Sequence, residues 1–341
     1  MKKIYLISAV LALFFLYSCK SCNNKPNKII APEIKKEDSV KISIKRYEKA
    51  LFSVDTKNLK SGLKRLLPEY CFFIPENSLD DTLGLIQMKK FLEDPFIQKL
   101  YKDCIKSYPD LNGLENQLGK AFTYYKHYYP EKRIPQTFSC ISGLYFEEPI
   151  RFADSVLIIS LDMYMGTDYK YYKQMLSYVP IYIQKRFRKE YILTDCMRSI
   201  SKTLIDNSKE NKKLLDYMIY EGKVQYFIDA MLPETPDSLK IYYSAKQLDW
   251  CDKNESSMWT FLIDKKLLYS SENNIVSKLC TDGPFTALFS KQSPSRVGYW
   301  LGWQIVRSYM ENNKKVSMRD MFKNQDAQEI LEKSKYKPKK N

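Results

Sequence analysis

The first nineteen residues constrain the fold of this chain most, because their pattern indicates that they are not part of the folded domain. Two lysines follow the initiator methionine, and an apolar run over residues 4–17 then ends at Ser18 and Cys19. The run is shorter than the ~20 residues that span a bilayer, and its basic-then-apolar order is typical of a secretory signal. A small residue before a cysteine marks the cleavage site of bacterial lipoproteins. We therefore predict a lipoprotein signal peptide over residues 1–18 and lipidation of Cys19.

The predicted lipid would tether the chain to a membrane surface. Two or more acyl chains on Cys19 anchor a protein stably to a bilayer without spanning it. Residues 19–39 are rich in Lys, Asn and Pro and have no sustained apolar periodicity, which is typical of a flexible linker. Neither a linker-like segment nor an internal repeat interrupts the sequence after residue 40, so we predict a single domain over residues 40–341.

The formal charge of +15 raises the question of an acidic partner. The excess is carried mainly by lysines scattered among Asn, Ile and Tyr, whereas phosphate recognition favours clustered patches that are often rich in arginine. An exported lipoprotein also rarely meets nucleic acid. We therefore interpret the charge as a solvated basic surface that contacts anionic lipid, and we predict no nucleic-acid partner.

Eight cysteines include Cys19, whose sulfur the lipid would consume. The Cys-x-x-Cys spacing of Cys19 and Cys22 is therefore not a redox motif, since a thioether cannot exchange disulfides. Disulfides and buried free thiols remain equal alternatives for the cysteines within the domain. These are Cys71, Cys104, Cys140, Cys196, Cys251 and Cys280.

Apolar periodicity predicts an α+β domain that is mostly α-helical, with a small β-sheet packed against helices. Residues 40–45 alternate apolar and polar side chains, the period of two of a half-buried strand. Further strands are predicted over residues 135–144 and 155–161, on either side of a turn at 147–149, and the second is a continuous apolar run typical of a buried strand. Helices are predicted over 57–67, 80–92, 94–107, 113–129, 168–177, 181–206, 211–231, 238–253, 255–269, 296–313 and 317–333.

The single histidine, His127, excludes most metal and triad chemistry. A His-Glu-x-x-His zinc site needs two histidines one helical turn apart, and the sequence also lacks nucleophile-elbow, phosphate-loop and dinucleotide-binding motifs. We predict no cofactor and no metal. The Tyr-rich segment 124–129 around His127 could stack on sugars, but its helical spacing favours a core-facing stripe. We interpret His127 as a surface or packing residue.

Acidic side chains in regions of unusual local character are the remaining candidates for acid-base chemistry. Asp168 is also well placed as a helix N-cap. The five carboxylates are Glu147, Glu148, Asp162, Asp168 and Glu221.

The apolar helix predicted over 296–313 should be central to the core. Gly298 and Gly302, four residues apart, would let another backbone approach closely. Arg307 lies one turn beyond Trp303 on the same side and would need a carboxylate partner if buried. In one alternative these residues belong only to the core, and Arg307 and Glu221 form a structural ion pair.

Several separate blocks of the sequence occur in an order that is typical of one known family. The blocks are residues 161–168, 218–223, 247–250, 293–298 with 302–306, and 334–338. Together they resemble the gliding motility lipoprotein GldB family of Bacteroidetes. The resemblance extends from about Ile44 to Pro338, with the lipoprotein signal before it.

The resemblance implies a lipoprotein of the cell envelope, associated in gliding members with the surface-motility apparatus. The family in turn is similar to predicted zinc peptidases of the zincin type, in which a His-Glu-x-x-His helix precedes a helix bearing Glu-Gly. Glu221 and Gly222 match that second helix, but residues 194–199 contain no histidine. The resemblance therefore implies a zincin-like scaffold without its metal, and no peptidase activity.

Two hypotheses from different classes follow. In the first, the protein is non-catalytic and binds or supports an envelope or motility-machinery protein, or a glycan, through the groove that a peptidase relative would use as its active site. The candidate groove or structural polar residues are Asp162, Tyr164, Asp168, Glu221, Trp303 and Arg307. In the alternative, Glu221 acts with Asp162 or Asp168 as a carboxylate-dependent enzyme on envelope glycan or peptide, which requires both carboxyl groups in an open cleft.

The membrane face is predicted from the residues after Cys19. Bacteroidetes lipoproteins sent to the cell exterior tend to carry an acidic cluster there, and residues 20–25 contain none. The resemblance therefore implies the periplasmic face, in the outer membrane.

Overall fold

The computed structural model describes residues 31–338. The predicted signal peptide, Cys19 and the first part of the predicted linker lie outside the described residues. The described end of the linker contains a short 3₁₀ turn at Lys36–Asp38. None of the helices within this range is both long enough and apolar enough to cross a bilayer.

The described chain is mostly helical with one small sheet, which confirms the predicted α+β class. The strands are Ile44–Arg46 (β1), Gln136–Cys140 (β2), Ile150–Ala153 (β3) and Val156–Ser160 (β4). The helices of the first half are Tyr47–Phe52 (α1), Leu59–Tyr70 (α2), Thr82–Glu93 (α3), Pro95–Ser107 (α4) and Asn112–Tyr128 (α5). Those of the second half are Lys170–Met175 (α6), Ile181–Gln184 (α7), Ile192–Leu204 (α8), Leu214–Met231 (α9), Asp237–Ile241 (α10), Ala245–Asp264 (α11), Asn273–Cys280 (α12), Val297–Asn312 (α13), Met318–Lys323 (α14) and Ala327–Ser334 (α15).

The sheet has the strand order β1-β2-β4-β3, with β2 parallel to β1 and β4 and only β3 antiparallel. Parallel strands that are buried on both faces are typically apolar throughout, which explains the continuous apolar run of β4. Leu157 and Ile159 face the main hydrophobic core, whereas Val156 and Ile158 face a smaller core beneath α1, α2 and α3. The sheet therefore separates two layers of packed helices.

Helices α9 and α13 cross at the centre of the main core, as the apolar pattern predicts. A Cβ atom on Gly302 would lie 1.8 Å from the Met218 carbonyl oxygen, and one on Gly222 would lie 2.3 Å from the Gly302 carbonyl oxygen. Gly298 makes a similar approach to the Leu279 carbonyl of α12, at 2.9 Å. The predicted close backbone approach at Gly298 and Gly302 is therefore confirmed.

Several predicted boundaries differ from the structure for local reasons. The helix predicted over 181–206 is split, because a 3₁₀ turn at Lys189–Tyr191 precedes α8. The helices predicted over 238–253 and 255–269 are instead the short α10 and the long α11. Tyr242 adopts a left-handed conformation that ends α10, and the reciprocal Ser244 and Gln247 capping box begins α11.

The helix predicted over 317–333 is also two helices, α14 and α15, because the chain leaves the helical conformation at residues 324–326. Other differences are missed elements and a single residue. Strand β3, α1 and α12 were not predicted, and α2 continues through Pro68. Asp168 is exposed and lies one residue before Tyr169, the actual N-cap of α6. The N-cap prediction was therefore wrong.

Two other sequence interpretations are settled by burial. Phe122, Tyr125 and Tyr129 are buried in the main core, so the Tyr-rich stripe packs inward as favoured. His127 is exposed, next to the last residue of α5. The six cysteines of the described chain are all free thiols, which decides the open question of disulfides.

Candidate functional site

A polar cleft of about 530 Å³ opens beside α8 and α9. Arginines and carboxylates meet there in one concave site, which makes it the strongest candidate for a functional site. Its ionisable side chains other than tyrosines are Glu147, Glu148, Arg186, Asp195, Arg198, Lys202, Glu221, Asp282 and Arg296. Another cavity, of about 610 Å³, lies between the linker end and α5, and the cations in its lining are the lysines Lys35 and Lys120.

Tyr242 lines the cleft with three guanidinium groups around its ring. The ring centroid lies 4.6 Å from Arg186, 5.1 Å from Arg198 and 5.5 Å from Arg296. Both Tyr242 (φ 60°) and Arg296 (φ 57°) adopt left-handed backbone conformations. Such a conformation costs a non-glycine residue about 1 kcal/mol or more, so the surrounding contacts hold these two side chains in place against backbone strain.

Asp195, on α8, is held between two tyrosine hydroxyl groups. Its Oδ2 accepts a hydrogen bond of 2.7 Å from Tyr164, and its Oδ1 accepts one from Tyr242. Burial raises the pKa of Asp195, and these two hydrogen bonds only partly oppose the increase. The carboxyl group is therefore occupied by fixed protein donors.

Arg198, one turn further along α8, forms an ion pair with Glu221 of α9. Its Nη1 lies 3.3 Å from Glu221 Oε2, and its Nε donates to the Tyr242 hydroxyl at 3.1 Å. Its Nη2 donates to the Lys240 carbonyl oxygen at 3.2 Å. The guanidinium thus links both helices to the end of α10.

Asp282 neutralises the two remaining arginines of the cleft. It accepts a hydrogen bond from Arg186 Nη1 at 3.0 Å, and its Oδ1 lies 2.8 Å from Arg296 Nε. Burial alone would raise the pKa of Asp282, but the hydrogen bond from Arg186 and the charge of Arg296 hold it below its usual value. Asp282 is therefore an anion shared between two cations.

The residues of this cleft do not fit a zinc ion. With Asp195 matched to the glutamate of a His-Glu-x-x-His helix, the histidine positions are Thr194 and Arg198. A guanidinium has no lone pair to donate and carries a permanent positive charge beside Glu221. Within residues 31–338, no group of three or more His, Cys, Asp or Glu side chains is arranged to hold a metal ion.

The residues singled out from the sequence divide between the cleft and the interior. Tyr164 and Glu221 line the cleft. Asp162 is buried, does not line the cleft, and accepts hydrogen bonds from the backbone N–H groups of Ser142 (2.9 Å) and Leu144 (2.8 Å). The open pair of Glu221 with Asp162 or Asp168, which the enzymatic alternative requires, is not formed, because neither aspartate lines the cleft.

Trp303 and Arg307 belong to a separate buried network centred on Asp229. Arg307 donates to both oxygens of Asp229, at 2.7 and 2.9 Å, and Trp303 Nε1 donates to Oδ2 at 2.8 Å. Lys240 donates to Oδ1 at 2.8 Å. The predicted carboxylate partner of Arg307 is confirmed, but the predicted pairing with Glu221 was wrong, since Glu221 pairs with Arg198.

Sequence patterns missed much of the cleft. Arg186, Tyr242 and Asp282 lie in short or irregular segments between helices, where no periodicity identifies an inward-facing side chain. The sequence did contain one indication of the cleft, since Arg296 belongs to one of the blocks that resemble the GldB family.

The fold and cleft together define a mostly helical α+β protein with a charged cleft that lacks histidine ligands. The family model described as gliding motility protein GldB matches residues 27–338, and the chain belongs to that family. Family membership makes it a gliding-motility-associated protein and indicates a location in the cell envelope. None of the curated proteins and none of the solved structures compared with the chain matches it.

Proposed function

We propose that this protein is a membrane-anchored, non-catalytic lipoprotein that binds or supports another envelope component through the cleft. Membership of the GldB family and the lipoprotein signal ending at Cys19 support the anchoring. The partner would be a protein of the envelope or motility machinery, or a glycan. The acylated Cys19 would hold the domain at the periplasmic face of the outer membrane.

The ion pair between Arg198 and Glu221 is the observation that carries this proposal. In the peptidases that the family resembles, these helices would present metal ligands and a catalytic carboxylate. Here a permanent cation faces Glu221, and Asp195 is engaged by two tyrosine hydroxyls. Glu221 and Asp195, which occupy the positions of catalytic groups in such peptidases, are therefore engaged by other side chains of the same protein. The cleft that remains is a concave, charged surface suited to binding.

Complementation of a deletion strain tests the role of the cleft. We expect Glu221→Ala and Glu221→Gln to fail to restore the phenotype of the deletion strain, because the first removes the partner of Arg198 and the second removes the negative charge of that partner. The matched control is Glu93→Ala, which removes an exposed carboxylate of α3. Thermal unfolding of the purified variants separates loss of function from loss of folding. Folded Glu221 variants that restore the phenotype fully would rule out the cleft as the functional surface.

The non-catalytic part of the proposal has its own test. We expect no release of soluble fragments when the purified protein is incubated with isolated envelope glycan or with an unfolded polypeptide. Release that disappears in an Asp195→Asn variant would instead establish an enzyme.

A further inference from the structure

A second pocket adjoins the cleft, and neither Arg198 nor Glu221 lines it. It encloses about 640 Å³ and shares Arg186, Tyr242 and Arg296 with the cleft. Its cations are Lys185, Arg186, Arg188 and Arg296, and its lining contains no Asp or Glu. We call these four side chains and the space they line the basic pocket.

The described protein neutralises the basic pocket only in part. Arg186 and Arg296 share the single carboxylate of Asp282. Arg188 donates from Nη2 to the hydroxyl of Tyr191 at 2.9 Å, and that hydroxyl is uncharged. Lys185 is exposed at the rim. Four cations therefore face one space, and within residues 31–338 Asp282 is the only carboxylate that forms an ion pair with any of them.

Buried donors without acceptors point to a missing partner. The Nε atoms of Arg186, Arg188 and Arg296 are buried without a hydrogen-bond acceptor among residues 31–338. Arg296 is only 4% exposed, and its 2.8 Å approach to Asp282 is an ionic contact whose geometry is not that of a hydrogen bond. Burial and the neighbouring charge of Arg186 both lower the pKa of Arg296. Crowded cations of this kind are stabilised by an anion.

We propose that the basic pocket binds a carboxylate or phosphate group of the ligand that occupies the cleft. Guanidinium groups match the oxygen atoms of either anion, through short, charge-assisted hydrogen bonds. The volume exceeds that of one such group, and Ile181 contributes an apolar side chain, 72% exposed, to the lining. The ligand would thus place an anionic group beside an apolar one. This inference rests on the proposed function, because it assigns the ligand class of the same site.

Binding of defined anions to the full-length protein in detergent tests this assignment. The probes are inorganic phosphate, a tripeptide with a free C-terminal carboxylate, and the same tripeptide amidated, each titrated at constant ionic strength and followed by thermal unfolding. We expect a saturable rise in melting temperature with phosphate, with the free tripeptide, or with both, and no rise with the amidated tripeptide. Phosphate alone would identify a phosphate-bearing ligand, and the free tripeptide alone a carboxylate-bearing one.

Matched variants locate the binding. We expect Arg188→Gln and Lys185→Gln each to weaken the anion affinity roughly tenfold, the effect of losing one charged hydrogen bond. Arg133→Gln and Lys173→Gln remove exposed cations elsewhere and should leave the affinity unchanged. If Arg188→Gln does not fold, Lys185→Gln at the exposed rim carries the comparison. No saturable response to either anion, or an equal response in the pocket variants and the controls, would overturn the assignment.

Complementation separates this inference from the proposed function. If Arg188→Gln weakens anion binding as expected while Glu221→Ala still restores the phenotype, the pocket is real and the functional role of the cleft is wrong. If Glu221→Ala does not restore the phenotype and the wild-type protein binds neither anion, the functional role of the cleft is supported and the anion assignment is wrong.

Discussion

Buried charges shape this protein at the residue scale, and several are held by partners far away in sequence. Asp229 is the clearest case, because its two oxygens accept hydrogen bonds from Arg307, Trp303 and Lys240. Arg307 also lies over the Trp303 ring, 3.8 Å from its centroid. A buried ion pair contributes little net stability by itself, but removing one partner leaves a buried charge without compensation.

Replacing Asp229 by Ala should therefore lower the free energy of unfolding by about 3–5 kcal/mol. Urea unfolding followed by circular dichroism measures the loss. The control is Asp249→Ala, which breaks a pair with Lys253 whose side chains are 60% and 71% exposed. That variant should lose less than about 1 kcal/mol. Equal losses in the two variants would show that the Asp229 network is not what stabilises this part of the core.

Lys223 predicts a pH dependence of stability. It is 3% exposed on α9, and burial lowers its pKa from 10.5 to about 8. Between these values the unfolded chain binds more protons than the folded one, so the free energy of unfolding should rise with pH through this window. The full change for this residue is roughly 3 kcal/mol, from about 1.4 kcal/mol per pH unit.

Urea unfolding at pH 7.5, 8.5 and 9.5 compares the wild-type protein with Lys223→Met. The variant should show a flatter dependence, because contributions from other titrating groups are common to both proteins. Parallel curves for the two proteins would show that Lys223 titrates normally in the folded state.

At the element scale, the crossing of α9 and α13 organises the main core. Gly222 and Gly302 let the two backbones touch, and no side chain larger than a hydrogen atom fits at their contact. The same two helices carry Glu221 of the cleft and Trp303 with Arg307 of the buried network. The spacing of the helices therefore sets the position of both polar groups.

Gly302→Ala should destabilise the fold by about 3 kcal/mol or more, at the upper end of overpacking costs. The new Cβ would lie 1.8 Å from a backbone oxygen, which cannot rotate away as a side chain can. Gly113→Ala on α5 is the matched control, because its Cβ would meet nothing within 4 Å. It should leave stability unchanged or raise it by up to about 1 kcal/mol. A Gly302→Ala protein as stable as Gly113→Ala would contradict the close crossing.

At the scale of the whole molecule, the sheet lies between two hydrophobic cores, and the cleft opens on the side of the main core. Helix α8 forms one wall of the cleft, and the loop after α10 carries Tyr242 into it. The chain enters this domain at β1, shortly after the predicted linker. The proposed lipid anchor would thus hold the cleft a short distance from the membrane surface.

Cys19→Ser should move the protein from the membrane fraction to the soluble periplasmic fraction, because the acyl chains supply the anchoring energy. Fractionation and immunoblotting measure the shift. Protease treatment of intact cells should leave the wild-type domain uncut if it faces the periplasm. Removal of the domain by that treatment would place it on the cell exterior instead.

Local patterns were sufficient for much of this architecture. The period of the apolar residues predicted the long helices α5, α9 and α13, and the continuous apolar run predicted β4. The small size of Gly302 predicted a close helix crossing. These features follow from neighbouring side chains, since a buried face or a missing Cβ acts within one or two turns of the same element.

Tertiary packing alone decided which charged side chains pair with each other and where the cleft opens. Arg198 and Glu221 are 23 residues apart and Arg307 and Asp229 are 78 apart, so no local period could pair them. Tyr242 reaches the wall of the cleft through a left-handed backbone conformation that the surrounding contacts hold in place. A buried charge takes whichever partner the packed helices bring within about 4 Å, and that distance is set by the whole core.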